Sequence, residues 1–200
     1  MRKLAVVVFL ACATSAWGQL FEVWFNGGQS LMSNNGLGTT AQFGGSKDDV
    51  KFEDGFRFSI RMALNNESHF GHEVQYAYSR TKLKIADQPG VPGSDLGMAV
   101  HQGGYNFLLY ATPEGTRIRP FATGGVGFSN YVPPGSSATS GGGYNKFGVN
   151  YGGGVKMRLT SLFGARVDVR QYTTPKPFDL PLKEGWIRQT EISAGVGVIF

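Results

Sequence analysis

The side chains best suited to chemistry are three histidines, His69, His72 and His101. His69 and His72 are three positions apart, a spacing that points them to opposite faces of a strand and suits a shared metal ion poorly. His101 has no cysteine or second histidine near it, and no histidine follows it. A nucleophile and a base can meet from distant positions, but no Ser–His–acid set stands out. Catalysis, a metal and a cofactor are therefore not expected. The stretch "KDDVKFEDG" carries Asp48, Asp49, Glu53 and Asp54, but Lys47 and Lys51 interrupt it. It lacks the fixed spacing of a calcium loop and reads as a solvated loop. The glycine clusters at 124–125, 141–143 and 152–154 are not phosphate loops, because none lies between a strand and a helix.

A second kind of chemistry lies in charges that recur at alternate positions. "FRFSIRMALN" sets Phe56, Phe58, Ile60, Met62 and Leu64 against Arg57, Ser59, Arg61, Ala63 and Asn65. "KFGVNYGGGVKMRL" sets Phe147, Val149, Tyr151, Val155, Met157 and Leu159 against Lys146, Asn150, Lys156 and Arg158. "ARVDVR" opposes Ala165, Val167 and Val169 to Arg166, Asp168 and Arg170. Successive side chains of a strand point to opposite faces, so each segment is a two-faced ribbon. The polar faces carry both signs: Glu22, Glu73, Asp168 and Glu191 with Arg57, Arg61, Arg119, Lys156, Arg158, Arg166 and Arg170.

The elements that must hold these charges are all strands. Two hundred residues with 30 glycines and 13% aromatics suit many strands and turns in one domain. Residues 1–18, "MRKLAVVVFLACATSAWG", have a basic start, an apolar run and small residues at cleavage spacing. They read as a secretory signal peptide cut after Ala16 or Gly18, leaving 19–200 as the barrel domain. A lipoprotein anchored at Cys12 fits less well, since Phe9 and Leu10 suit that cleavage box poorly. The mature chain would then have no cysteine and no disulfide framework. Removing Arg2 and Lys3 takes the formal charge from +5 to +3. No contiguous basic run is present, so a nucleic-acid partner is not expected.

Eight strands are expected, near 19–28, 54–65, 69–82, 97–110, 117–131, 146–160, 163–173 and 187–200. Along 117–131, Val126 and Phe128 are assigned outward, Arg119 and Phe121 inward. Long connections at 29–53, 83–96, 132–145 and 174–186 alternate with short ones near 65–68, 111–116 and 161–162. A soluble barrel with its apolar face inward would share the alternation. Three features favour the membrane barrel instead. The strands are long enough to cross a bilayer when tilted. Their mixed charges suit a narrow interior where opposite signs can pair. Aromatics fall near strand ends, with Phe21, Phe70 and Phe200 at one rim and Tyr78, Tyr131 and Trp186 at the other. The fold class is an all-β, eight-stranded antiparallel up-and-down transmembrane barrel with four long extracellular loops and three short periplasmic turns.

The chain resembles the small eight-stranded outer-membrane barrels related to the OmpA transmembrane domain, OmpX and OmpW. The resemblance rests on "ISAGVGVIF" at the end, "FATGGVGFSNY", "NYGGGVKMRL" and "FGARVDVRQY". It implies a bacterial outer-membrane location, with lipid and the barrel-assembly machinery as partners. It also implies an assembly signal in Ile192, Val196, Val198 and Phe200, and no OmpA-type peptidoglycan-binding domain. The function expected is structural and interactive: membrane integrity, adhesion, or binding of an extracellular ligand or surface partner by the loops. The alternative is an OmpW-like narrow pore for small or apolar solutes. A lipid-modifying enzyme is a weaker third reading, for want of a matching late histidine.

Overall fold

Alternation over long stretches is realised as one closed sheet. The computed structural model describes residues 20–41, 44–66, 68–87, 92–136 and 142–200. The expected signal peptide and Cys12 lie outside the described residues. Among the described residues there are ten strands: β1 (Leu20–Ser33), β2 (Gly36–Gly38), β3 (Val50–Phe52), β4 (Gly55–Asn65), β5 (Phe70–Ile85), β6 (Ser94–Tyr110), β7 (Ile118–Val132), β8 (Tyr144–Arg158), β9 (Phe163–Pro175) and β10 (Trp186–Ile199). β1 and β4 to β10 form the eight-stranded barrel, each antiparallel to its sequence neighbour. β1 pairs β10 from Glu22↔Ile199 to Ser33↔Arg188, which closes the sheet. Closure gives every barrel strand two partners and removes the exposed edges that lipid could not satisfy.

Phe58, Met62, Leu64, Val74, Val126, Phe128, Val149, Val167, Ile192 and Val196 all point outward and are exposed. In water an apolar belt around the whole molecule would far exceed the few hundred Å² that monomeric soluble proteins leave open. Against acyl chains it is the required surface. The outward Val126 and Phe128 and the buried Arg119 and Phe121 agree with the assignment of β7.

The strands run further toward the long-loop rim than the apolar pattern indicates. β1 continues to Ser33, β5 to Ile85 and β9 to Pro175, while β6 begins at Ser94. The loops shrink accordingly to 34–54, 86–93, 133–143 and 176–185, against links at 66–69, 111–117 and 159–162. The 86–93 loop is therefore little longer than the 111–117 link. The first loop is also structured: β3 pairs β5 at Phe52↔Leu83 and adds β2 beyond it. The "KDDVKFEDG" stretch is thus partly a strand rather than a wholly solvated loop. Its Val50 and Phe52 are buried, so apolar burial holds it in place.

Candidate functional site

The inward faces of β4, β5, β9 and β10 build a charged layer across the middle of the barrel. Arg166, Asp168 and Arg170 are spaced by two on β9, so all three point inward, and Asp168 is bracketed by its neighbours. Its carboxylate accepts from Arg166 Nε at 2.6 Å, Arg170 Nε at 3.2 Å and Arg61 Nη1 at 2.7 Å. Glu73 meets Arg166 at 2.7 Å and Arg170 at 2.8 Å. Glu191 meets Arg61 at 2.7 Å and Arg57 at 2.9 Å. Four guanidiniums and three carboxylates thus form one network, each residue no more than 1% exposed. A lone ion in such a place would cost several kcal/mol, and the mutual pairing offsets that cost. Tyr172 completes the layer: its hydroxyl donates to Glu191 at 2.9 Å and its ring lies 4.4 Å beneath the Arg57 guanidinium.

Toward the short-link rim the charges form two smaller groups. Glu22 pairs with Lys156 and accepts from the Trp24 indole at 2.7 Å. Lys156 also donates to the Tyr110 hydroxyl at 2.6 Å, which donates onward to Asn65 at 2.7 Å. Arg119 stacks 3.7 Å over the Tyr110 ring and pairs with Glu114, which also binds Arg158 at 3.0 Å. Arg158 is thus a rim residue, its side chain 30% exposed, rather than a member of the lumen network. Glu114, in the 111–117 link, was not among the expected charges. The available signal was the excess of cations at that end, where Arg119, Lys156 and Arg158 faced Glu22 alone.

Toward the long-loop rim the interior changes character twice. A neutral layer follows the arginines: Gln102 joins Arg57, Ser129 at 2.7 Å and Gln189 at 3.0 Å, and Gln189 donates to Ser30 at 2.6 Å. Beyond it Met32, Leu37, Val50, Phe52, Leu83, Met98, Val100, Tyr131 and Ile187 form a buried apolar cap, with Phe178 and Leu180 packed against it. Tyr131 lies inside this cap and not in the outer aromatic belt. Its ring stacks on Phe52 at 5.6 Å and its hydroxyl bonds Thr174 at 2.6 Å. It shares inward parity with Phe121, so the belt assignment conflicted with the strand's own alternation. Trp186 and Tyr78 do face outward, Trp186 exposed and Tyr78 half-buried. The voids beside Tyr172 and beside Lys156 hold about 10 Å³ each, room for about one water.

The expected assembly residues are the outward Ile192, Val196 and Val198 of β10 and Phe200, which follows it. Ile192, Val196 and Phe200 are exposed and Val198 half-buried. Phe200 stacks on Phe21 at 5.7 Å and donates its N–H to the Phe21 carbonyl at 2.8 Å. On the inward side a Cβ at Gly197 would sit 2.5 Å from the Trp24 ring, so that strand crossing requires glycine. His72 and His101 face outward, bonded through Nδ1 to Tyr105 at 2.5 Å and Tyr76 at 2.7 Å. His69 precedes β5, in the 66–69 link beside Ser68.

A family model described as "Outer membrane protein beta-barrel domain" matches residues 4–200. No protein of curated function matches the chain significantly. Among solved structures, Neisserial surface protein A (NspA) superposes with a TM-score of 0.58 at 16% identity, covering 90% of this chain and 97% of that one. The outer membrane protein OprG from Pseudomonas aeruginosa gives 0.59 at 12% identity, over 92% and 96% of the two chains. The outer membrane protein AlkL in lipid bilayers gives 0.55 at 13% identity, over 92% and 90%. At identities this low the likeness is one of fold.

Proposed function

The chain belongs to the outer membrane protein beta-barrel family and resides in the bacterial outer membrane, and from that premise we propose that it is a closed, non-conducting barrel with a structural and surface-interaction role. It would contribute to membrane integrity and present its loops outside the cell for adhesion or for binding a surface partner. Its outward faces meet lipid, and Ile192, Val196 and Val198 of β10 with the following Phe200 are the stretch offered to the barrel-assembly machinery.

The observation that carries this reading is the occupied interior. The lumen network of Arg57, Arg61, Glu73, Arg166, Asp168, Arg170 and Glu191 spans the middle, and the apolar cap covers the long-loop end. An eight-stranded barrel is just wide enough for its side chains. A pore for small or apolar solutes would require both layers to part. A lipid-modifying enzyme would require a histidine set between a nucleophile and an acid; His72 and His101 are each bonded to a tyrosine on the outer face, and His69 to its chain neighbour Ser68 in the 66–69 link. Planar-bilayer recording of the purified barrel tests the proposal. No sustained conductance is expected, and a stable open pore at neutral pH would overturn it.

A further inference from the structure

The inward row of β9 does not end with the strand. After Arg170, Tyr172 and Thr174 comes Lys176 at the same parity, the first residue of the 176–185 loop, and it is 3% exposed. The buried cations Arg57, Arg61, Arg119, Lys156, Arg166 and Arg170 each meet a carboxylate. Lys176 does not: among the described residues no carboxylate lies within ion-pair distance of its ammonium, and no hydrogen bond reaches it. Burial holds that ammonium below its ordinary value. Asp48 of the first loop and Glu184 of its own loop counter this only in part, and Lys47 adds to it. A lone buried ion is costly, because water is lost and no opposite charge replaces it.

The same loop carries a second cost. Leu182 has φ 59°, in the left-handed region, where the Cβ of an L residue crowds a carbonyl oxygen. The other such non-glycine residue among the described ones is Asn34, a type that visits this region routinely. Leu182 is exposed, so packing of its own side chain does little to offset the strain. Strain of this kind persists where the surroundings impose it. Here Phe178 and Leu180 lie against the apolar cap, with the Phe178 ring 6.1 Å from Phe52 and 5.1 Å from Tyr144. The Pro181 carbonyl accepts from the Thr39 N–H at 3.0 Å. The loop is thus a strap held down at its middle, with a lone charge at one foot and, near the other, a strained residue followed by Gly185 at φ 72°.

We propose that the 176–185 strap is a conformational device of the outer rim, closed by Phe178 and Leu180 and poised to lift as a unit about Lys176 and Gly185. Lifting returns the Lys176 ammonium to water and lets Leu182 leave the left-handed region, while Gly185, without a Cβ, absorbs the change of direction. Both changes make opening easier, and opening uncovers the Phe52 face of the cap. The arginine layer is untouched, so the inference stands whether or not the lumen conducts.

Amide exchange in the refolded full barrel in detergent, followed residue by residue by NMR, tests this. The Thr39 N–H reports release of the strap, because its acceptor is Pro181. The Phe52 N–H, bonded to the Asn35 carbonyl at 3.1 Å, reports unfolding of the first loop itself. Lys176→Met keeps the length and removes the charge, and Thr39 exchange should slow roughly fivefold. Leu182→Gly and Leu182→Ala both lose the side chain, but only glycine relieves the backbone. Thr39 should therefore exchange roughly threefold more slowly in Leu182→Gly than in Leu182→Ala. Phe52 exchange should stay unchanged in all three. Phe178→Ala, which removes a closing contact, should speed Thr39 exchange more than Phe52 exchange. Retained heat-dependent gel mobility verifies that each variant is folded. Unchanged or faster Thr39 exchange in Lys176→Met, equal exchange in Leu182→Gly and Leu182→Ala, or Thr39 and Phe52 moving together throughout would each overturn the proposal.

Discussion

The middle of the barrel and its long-loop end use the same inward positions for opposite chemistry. In the middle, β4 and β9 point Arg57, Arg61, Arg166 and Arg170 inward, paired with Glu73, Asp168 and Glu191. At the long-loop end the inward side chains are Met32, Leu83, Met98, Val100 and Ile187, closed over by Phe52 from β3. The outward positions change in the reverse sense, from Val74 and Tyr76 to Arg80 and Lys82 on β5. Lipid dictates an apolar exterior in the middle and leaves the interior to ions that pair. Above the lipid the exterior meets water, and the interior becomes an ordinary apolar core. Two sources of stability are therefore stacked along one axis.

The contrast is tested most severely at Asp168, the carboxylate shared by three arginines. Asp168→Asn keeps the shape and removes the charge, leaving the central layer with four cations and two anions. A loss of about 3–5 kcal/mol is expected, as for other broken buried pairs. It would be measured by urea unfolding of the micelle-bound barrel, followed by heat-dependent gel mobility. A loss below about 1 kcal/mol would mean that the layer is hydrated like a surface, and the two regions would not differ in kind.

The cap is tested by Phe52→Ala. Removing a buried phenyl ring costs about 3 kcal/mol in a packed core, here concentrated in the first loop and detected as faster proteolysis between β2 and β3. The charged layer is untouched, so conductance should stay absent. Conductance in this single variant would move the seal from the arginine layer to the cap.

The inversion of polarity also explains what was legible in the sequence. In the lipid zone, apolar means outward, and the alternation in "FRFSIRMALN" and "ARVDVR" assigned every inward charge of β4 and β9 correctly. That rule fails where the outside turns polar. Lys84 falls in the expected 83–96 connection although it lies in β5, and Met32 falls in the expected 29–53 connection although it lies in β1 and is buried. The apolar pattern therefore ends strands too early at that rim and puts Tyr131 in the belt. Glu114 escapes the pattern for another reason: a turn residue carries no periodicity, and only three-dimensional pairing with Arg119 and Arg158 reveals its part. The Phe52–Tyr131 stack was equally hidden, because it joins a loop strand to a barrel strand 79 positions away.

A finer probe separates the two halves of the Tyr131 contact. Tyr131→Phe keeps the stack on Phe52 and deletes the hydroxyl bonded to Thr174 at 2.6 Å. The expected loss is about 1 kcal/mol, that of one hydrogen bond, and Thr174→Val in the same background should add little. A loss as large as that of Phe52→Ala would mean that the cap depends on its polar seam rather than on apolar burial.

The smallest effect lies at the outer edge of the cap, where Asp49 ties β2 to the 46–49 turn. Its carboxylate accepts from the Thr39 hydroxyl at 2.5 Å and the Ser46 N–H at 2.8 Å. These bonds, the Thr39 hydroxyl foremost, hold the Asp49 carboxyl below its ordinary value. A carboxyl held low in the folded state stabilises that state fully above its unfolded value, about 3.9. The contribution fades as pH falls through the lowered folded value. The folded first loop should therefore be favoured over an Asp49→Asn variant at neutral pH, and the difference should vanish in acid. Amide exchange at Gly38, whose N–H bonds the Lys47 carbonyl at 3.0 Å, reads this directly when both proteins are compared at each pH. A difference that persisted undiminished in strong acid would show that the Asp49 charge contributes nothing, and that β2 is held by Leu37 in the apolar cap alone.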